Sequence, residues 1–223
     1  MVKVYGMLIN GLHSFNDLGL VATSRPRVQL PEPKLEYLQI PGRQESIDIS
    51  ESLAGEVLYE MREGCFEFIV ANKNKWSETC HSVKTLIHGK SVKLSLDDEP
   101  LFYYQGRVWV SDFKSDKNYS TLTLNYKLQP YKYSVDDSDG VHTIWGMQVD
   151  DKREITLVHD FDMTLIPEFN NLSSNSMLLD SNGKKYEIKT GVNRFPQLRS
   201  KINMSLTFVG NGMVNISYKR GWL

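Results

Sequence analysis

The chain has 223 residues, a length that suits one large domain or two small ones. Its hydrophobic content of 40% and charged content of 24% are ordinary for a folded soluble protein. A net charge of −1 argues against a protein that grips nucleic acid through its phosphates, and against electrostatic attraction to a membrane surface.

Residues 1–11 carry one lysine and no small-residue cleavage site after a long apolar run. They read as a strand ending at Asn10-Gly11 and not as a signal peptide. No apolar run approaches the roughly 20 residues of a spanning helix. Residues 23–34 contain Pro26, Pro31 and Pro33, which exclude a helix or a central strand and leave an extended arm or connector. Phe66, Phe68 and Val70 then alternate with Cys65, Glu67 and Ile69, as in a strand with one buried face. Trp76, Cys80, Val83 and Ile87 recur at helical spacing, and Leu86 widens that face. Asn74 or Ser77 can cap this helix, and Gly89 can end it in the left-handed conformation.

From there the period is two throughout. Val92, Leu94 and Leu96 form one alternating set, and Leu122, Leu124, Tyr126 and Leu128 another. Residues 134–140 are acidic and small, and suit a linker or an exposed loop between domains. Leu206 and Phe208, then Val214, Ile216 and Tyr218, alternate on either side of Gly210-Asn211-Gly212, which reads as a hairpin turn. The chain is therefore expected to be mainly β, with a helix-bearing first domain over 1–133, a linker over 134–140 and an all-β second domain over 141–223.

No set of residues assembles a catalytic site. Asp97, Asp98 and Glu99 are adjacent carboxylates before a proline, read as a hairpin turn capped by Asp side chains and not as a metal site. Asp136, Asp137 and Asp139-Gly140 resemble a calcium loop but lack its closing Glu. His159, Asp160 and Asp162 follow an apolar run and read as a polar strand end. No nucleotide-cradling or zinc-protease motif is present, so no catalytic, metal or cofactor residue is assigned. Cys65 and Cys80 are expected to be buried thiols; a disulfide between them is not required. Trp145 and Trp222 are expected to plug the ends of a β-sandwich, the alternative being that they stack on sugar rings.

A resemblance runs the length of the chain. Asn10-Gly11, Leu18-Gly19-Leu20, Ser24-Arg25-Pro26, Pro33, Ile40-Pro41-Gly42-Arg43 and Ser46-Ile47-Asp48 resemble the opening of the distal tail protein of siphophages that infect Gram-positive bacteria. Gln44-Glu45 stand where that family usually has Asp-Gly. Leu86-Ile87-His88-Gly89-Lys90, Leu96-Asp97-Asp98-Glu99-Pro100 and Tyr104-Gln105-Gly106-Arg107-Val108 are similar to its middle. Gln129-Pro130-Tyr131-Lys132-Tyr133 is similar to the end of its first domain, and residues 208–212 and 216–223 to its C-terminus.

The resemblance implies a first domain, β-barrel or sandwich with one helix, that forms a hexameric ring around a channel, each subunit's arm holding its neighbour. It implies a galectin-like β-sandwich as the second domain. The ring would join the tail tube to the tail-tip protein and carry receptor-binding or other baseplate proteins, and DNA would pass through without specific binding. The protein would be structural, without cofactor or membrane partner, assembled in the bacterial host cytoplasm and located in the virion. Arg25, Pro26, Pro41, Gly42, Arg43 and Asp48 are the candidate subunit-interface residues. The alternative function is a carbohydrate-binding β-sandwich that contacts the host cell wall through Trp145 or Trp222.

Overall fold

Strands β1 (Met7–Ile9) and β2 (Leu12–His13) pair antiparallel with Ile9 opposite Leu12, so that only Asn10 and Gly11 form the loop. Asn10 has φ 51° and Gly11 has φ 81°, the left-handed pair that a type I′ hairpin requires. The strand expected before Asn10-Gly11 is therefore present. Its first four residues lie outside those described by this computed structural model, which are 5–52, 54–116 and 119–223. The chain divides into two compact units between Lys132 and Tyr133, with Leu223 grouped with the first.

The first unit continues with β3 (Leu20–Ala22), β4 (Tyr37–Leu38), β5 (Ile47–Asp48), β6 (Arg62–Val70), α1 (Trp76–Leu86), β7 (Lys90–Leu96), β8 (Phe102–Ser115) and β9 (Ser120–Leu128). A curled antiparallel sheet runs in the order β2-β1-β7-β8-β9-β6-β3. The alternating residues face one core as expected: Phe66, Phe68 and Val70, then Val92, Leu94 and Leu96, then Leu122, Leu124, Tyr126 and Leu128 are all buried. Strand β8 shifts register between Val110 and Asp112, a bulge that adds twist and helps the sheet to curl. Gly106 in β8 has a steric reason: a Cβ there would lie 2.2 Å from the backbone oxygen of Lys127 on β9.

Helix α1 buries Cys80 and Val83, and Ile87 just beyond it is buried too. Trp76 packs edge-on against Phe113 at 5.4 Å. Leu86 is exposed, so the apolar face is narrower than the spacing suggested. Neither Asn74 nor Ser77 caps the helix. Its N-cap is Lys75, without a side-chain bond, because α1 continues directly from the 3-10 turn Lys73–Lys75. Gly89 does end the helical segment with φ 72°, and its N–H donates to Val108 O at 2.9 Å, handing the chain to the sheet. Cys65, expected to be buried, is exposed: strand alternation puts it on the face opposite Phe66 and Phe68, beside Glu63 and Glu67. Both cysteines are free thiols.

The second unit comprises β10 (Tyr133–Ser134), β11 (Val141–Val149), β12 (Lys152–Leu157), β13 (Glu168–Asn171), β14 (Met177–Ser181), β15 (Lys184–Ile188), β16 (Gly191–Arg194), β17 (Met204–Val209) and β18 (Gly212–Lys219). Two four-stranded antiparallel sheets, β11-β18-β13-β16 and β12-β17-β14-β15, pack face to face. Phe169 of one meets Phe208 of the other at 5.8 Å, edge to face, within a core that includes Val149, Leu179, Leu206 and Ile216.

Gly210-Asn211-Gly212 is not a hairpin turn: it carries the chain from β17 in one sheet to β18 in the other. Alternation on both sides of a turn does not reveal which sheet receives the next strand. Of residues 134–140, expected as a linker or exposed loop, Val135, Asp136, Ser138 and Asp139 are exposed. The whole segment belongs to the second unit, and Asp137 is buried there against Arg220. No helix among the described residues is long and apolar enough to cross a membrane.

Candidate assembly surface

The proline-rich segment 23–34, expected as an extended arm or connector, runs between β3 and β4 without a helix and straps back onto its own unit. Pro26 and Pro31 are buried. Arg25 Nε pairs with Asp98 Oδ2, which raises the Arg25 pKa through that hydrogen bond and the attached charge. The N–H of Gln29 donates to the Tyr126 hydroxyl at 3.2 Å, and its carbonyl accepts from Arg62 Nη1 at 2.9 Å.

The solvent-exposed arm follows the strap. Glu60 N–H donates to Glu32 O and Lys34 N–H to Leu58 O, each at 2.8 Å, and Pro33 lies opposite Tyr59. The two strands β4 and β5 then pair Tyr37 with Asp48 and Leu38 with Ile47. At the tip, Arg43 N–H closes a turn onto Ile40 O at 3.0 Å. Pro41 at the second position and Gly42 with φ 84° at the third make it a type II turn. Leu35, Tyr37, Leu38, Ile47 and Leu58 are all exposed along this hairpin. A cluster of large exposed apolar side chains on one element marks an interaction surface.

The candidate interface residues are thus divided. Pro41, Gly42 and Arg43 share the exposed tip, and the Arg43 side chain has no hydrogen bond or ion pair among the described residues. Asp48 is exposed on β5, where the Ser50 hydroxyl and N–H donate to its Oδ1 at 2.6 and 2.9 Å and hold its carboxyl below the usual range. Arg25 lies on the strap and is bound to its own chain, and Pro26 is buried within its own unit. Pro26 therefore offers no surface to a neighbour.

Arg62 is the residue that sequence reasoning missed. It is 2% exposed in the core, where burial lowers its pKa. Nε donates to Pro130 O at 2.8 Å and Nη1 to Gln29 O at 2.9 Å, while the guanidinium lies 5.2 Å from the Tyr104 ring. One side chain thereby ties the strap and the last turn of the first unit to β6. The Tyr104 hydroxyl donates to Glu99 Oε2 at 3.1 Å, and burial together with the Glu99 charge pushes its pKa well up. A lone Arg preceding an alternating apolar run carries no sequence signal of such burial.

The three adjacent carboxylates turn in three directions. Asp97 Oδ2 accepts from Gly6 N–H at 2.8 Å and from His13 Nε2 at 3.2 Å. His13 Nδ1 accepts from the N–H groups of Phe15 and Asn16, which places the ring proton on Nε2. Asp98 holds Arg25, and Glu99 holds Tyr104 and Lys132. The turn fastens the N-terminal hairpin, the strap and the end of the first unit, and no three His, Cys, Asp or Glu among the described residues converge as a metal set. Likewise Asp137 is spent on Arg220 and His142, while His159 Nε2 meets Met163 O at 3.1 Å.

The two tryptophans differ. Trp222 packs against the second core: its Nε1 donates to Asp160 O at 2.9 Å and its ring lies 6.2 Å from Phe161. Trp145, by contrast, is 76% exposed and plugs nothing. It sits where β11 shifts register between Ile144 and Met147.

No family model and no curated protein matches the chain. Among solved structures, it is similar to the SPP1 Dit protein, described as a paradigm of the hub adsorption apparatus in phages that infect Gram-positive bacteria. The TM-score is 0.68 at 17% sequence identity, over 99% of this chain and 100% of that one. From end to end, through both units, this chain has the fold of a phage Dit protein.

Proposed function

We propose that this protein is a structural hub subunit at the distal end of a siphophage tail. The observation that carries the reading is the full-length likeness in fold to the SPP1 Dit protein, covering both units and not just a shared sandwich. The exposed apolar hairpin supports it, because such a surface suits an obligate partner better than solvent.

In this reading the first unit forms a hexameric ring and the hairpin of each subunit docks on its neighbour, with Pro41, Gly42, Arg43 and Asp48 at the contact. A type II turn fixed by Pro41-Gly42 lets the hairpin dock at low entropic cost. The ring joins the tail tube to the tail-tip protein and carries receptor-binding or other baseplate proteins on a virion assembled in the host cytoplasm. Its near-zero net charge suits a channel that passes DNA without holding it. Its role is architectural and not enzymatic: each carboxylate of the 97–99 turn is occupied by a structural contact.

The test is the mass of the purified protein by light scattering, alone and mixed with the tail-tip protein of the same phage. A closed particle of six copies is expected in at least one condition. A monomer in both rejects the ring.

A further inference from the structure

We propose that the outer face of the sheet β11-β18-β13-β16 binds an uncharged saccharide, with Trp145 stacking on a sugar ring and Asn170, Asn215 and Ser217 bonding its hydroxyls. This rests on the second unit alone and does not depend on the hub reading.

The presentation of Trp145 is built into the strand. Ile144 lies opposite Ile216 and Met147 opposite Val214, so Trp145 and Gly146 together face Asn215 alone. This is a β-bulge, and Gly146 adopts φ 61°, a conformation that favours glycine. The side chain of Asn215 accepts the Gly146 N–H through Oδ1 at 2.8 Å and locks the bulge. Its Nδ2 is left for a ligand. The result is a large indole held out in solvent by a specific local geometry.

The neighbouring positions follow from the register. Asn170 lies opposite Asn215, and Ser217 lies between Thr143 and Glu168. The side chains of Asn170 and Ser217 are half-buried and have no hydrogen-bond partner among the described residues. An amide offers donors and an acceptor in one plane, and a hydroxyl offers both roles, which matches the hydroxyl groups of a sugar. The indole face matches the apolar C–H face of the same ring.

Charge selects the ligand class. Glu168 and Arg194 pair with each other at one side of this strip and Lys219 follows Ser217 at its end, so Trp145, Asn170, Asn215 and Ser217 are uncharged within a charged rim. The outer face of the opposite sheet is different, carrying Lys152, Glu154, Asp180, Lys185 and Glu187. A neutral strip of unspent amides and hydroxyls beside one exposed tryptophan complements a neutral polyhydroxyl ligand.

The experiment screens the full-length protein against an array of neutral oligosaccharides, then titrates each hit by tryptophan fluorescence. At least one glycan is expected to bind and to shift the emission. Trp145→Ala and Asn170→Ala should each weaken that binding about tenfold or more, with the melting temperature unchanged. Lys185→Ala, on the opposite outer face, should leave it unaltered. Absence of any neutral hit, or binding that survives Trp145→Ala, overturns the proposal. If no glycan binds and Trp145→Ala instead lowers the particle mass, the surface is a subunit contact and the saccharide assignment fails.

Discussion

Arg220 holds Asp137 with two hydrogen bonds, Nε to Oδ2 at 2.9 Å and Nη2 to Oδ1 at 2.8 Å. The Asp137 side chain is 2% exposed, and His142 Nδ1 adds a third contact at 3.2 Å. An acidic segment that looks made for solvent is thereby fastened to Arg220, just past the end of β18. Removing one partner of a buried pair leaves the other charge unpaired, so Asp137→Ala should cost about 3 kcal/mol or more. Asp137→Asn should cost less, because it keeps one acceptor. The Asp137 hydrogen bonds raise the Arg220 pKa above its ordinary, strongly alkaline value, so the Arg220 contribution is present across the neutral and mildly alkaline range and fades only in strong alkali. Urea unfolding of the full chain checks this; an unchanged midpoint for Asp137→Ala would mean that the pair contributes nothing.

Arg62 should behave as a staple. Arg62→Met fills a similar volume but leaves the carbonyls of Gln29 and Pro130 without their donor, a loss of about 2–4 kcal/mol. Arg62→Lys should not restore stability, since one ammonium does not reproduce the fork that reaches both carbonyls. Limited proteolysis should show faster cleavage within residues 24–31 in both variants. Wild-type cleavage rates there would show that the strap is held by other contacts.

The two thiols should separate cleanly. Cys65 is exposed and Cys80 is buried, with burial raising the Cys80 pKa and so lowering its thiolate fraction. A chromogenic thiol reagent at neutral pH should titrate one group in the native protein and a second only after unfolding. Cys65→Ser should abolish the native reaction. If both thiols react at once in the folded protein, helix α1 is not packed as described.

What was legible in the sequence was local. Asn10-Gly11 announces a two-residue hairpin because few other pairs tolerate two left-handed residues in succession. Leu122, Leu124, Tyr126 and Leu128 announce a half-buried strand through their period. Pro26, Pro31 and Pro33 mark residues 23–34 as extended but do not say where that segment leaves the body of its unit. Tyr37, Leu38 and Ile47, the residues that make the hairpin apolar, form no periodic pattern. Arg62 and Asp137 were invisible because their burial depends on partners 68 and 83 residues away. The exposure of Trp145 follows from a bulge that is locked by Asn215, 69 residues beyond Gly146.

The arm supplies the sharpest separation of fold from assembly. Tyr37 and Leu38 are exposed on β4, so replacing both with serine should change the stability of the isolated chain by no more than about 0.5 kcal/mol. If the hairpin docks on a neighbouring subunit, the same change removes two apolar anchors and should abolish the ring at micromolar concentration. Arg43→Ala removes a donor fork at the turn tip. It should weaken subunit contact by about 1–3 kcal/mol, the range for a charge-assisted bond lost at an interface. The loss should grow on dilution. Both variants can be weighed by mass photometry across a dilution series, beside thermal melts of the same samples. Rings that persist with Tyr37 and Leu38 both replaced would place the subunit contact elsewhere on the first unit. A melting temperature that falls together with the mass would show that the hairpin supports its own chain instead of a partner.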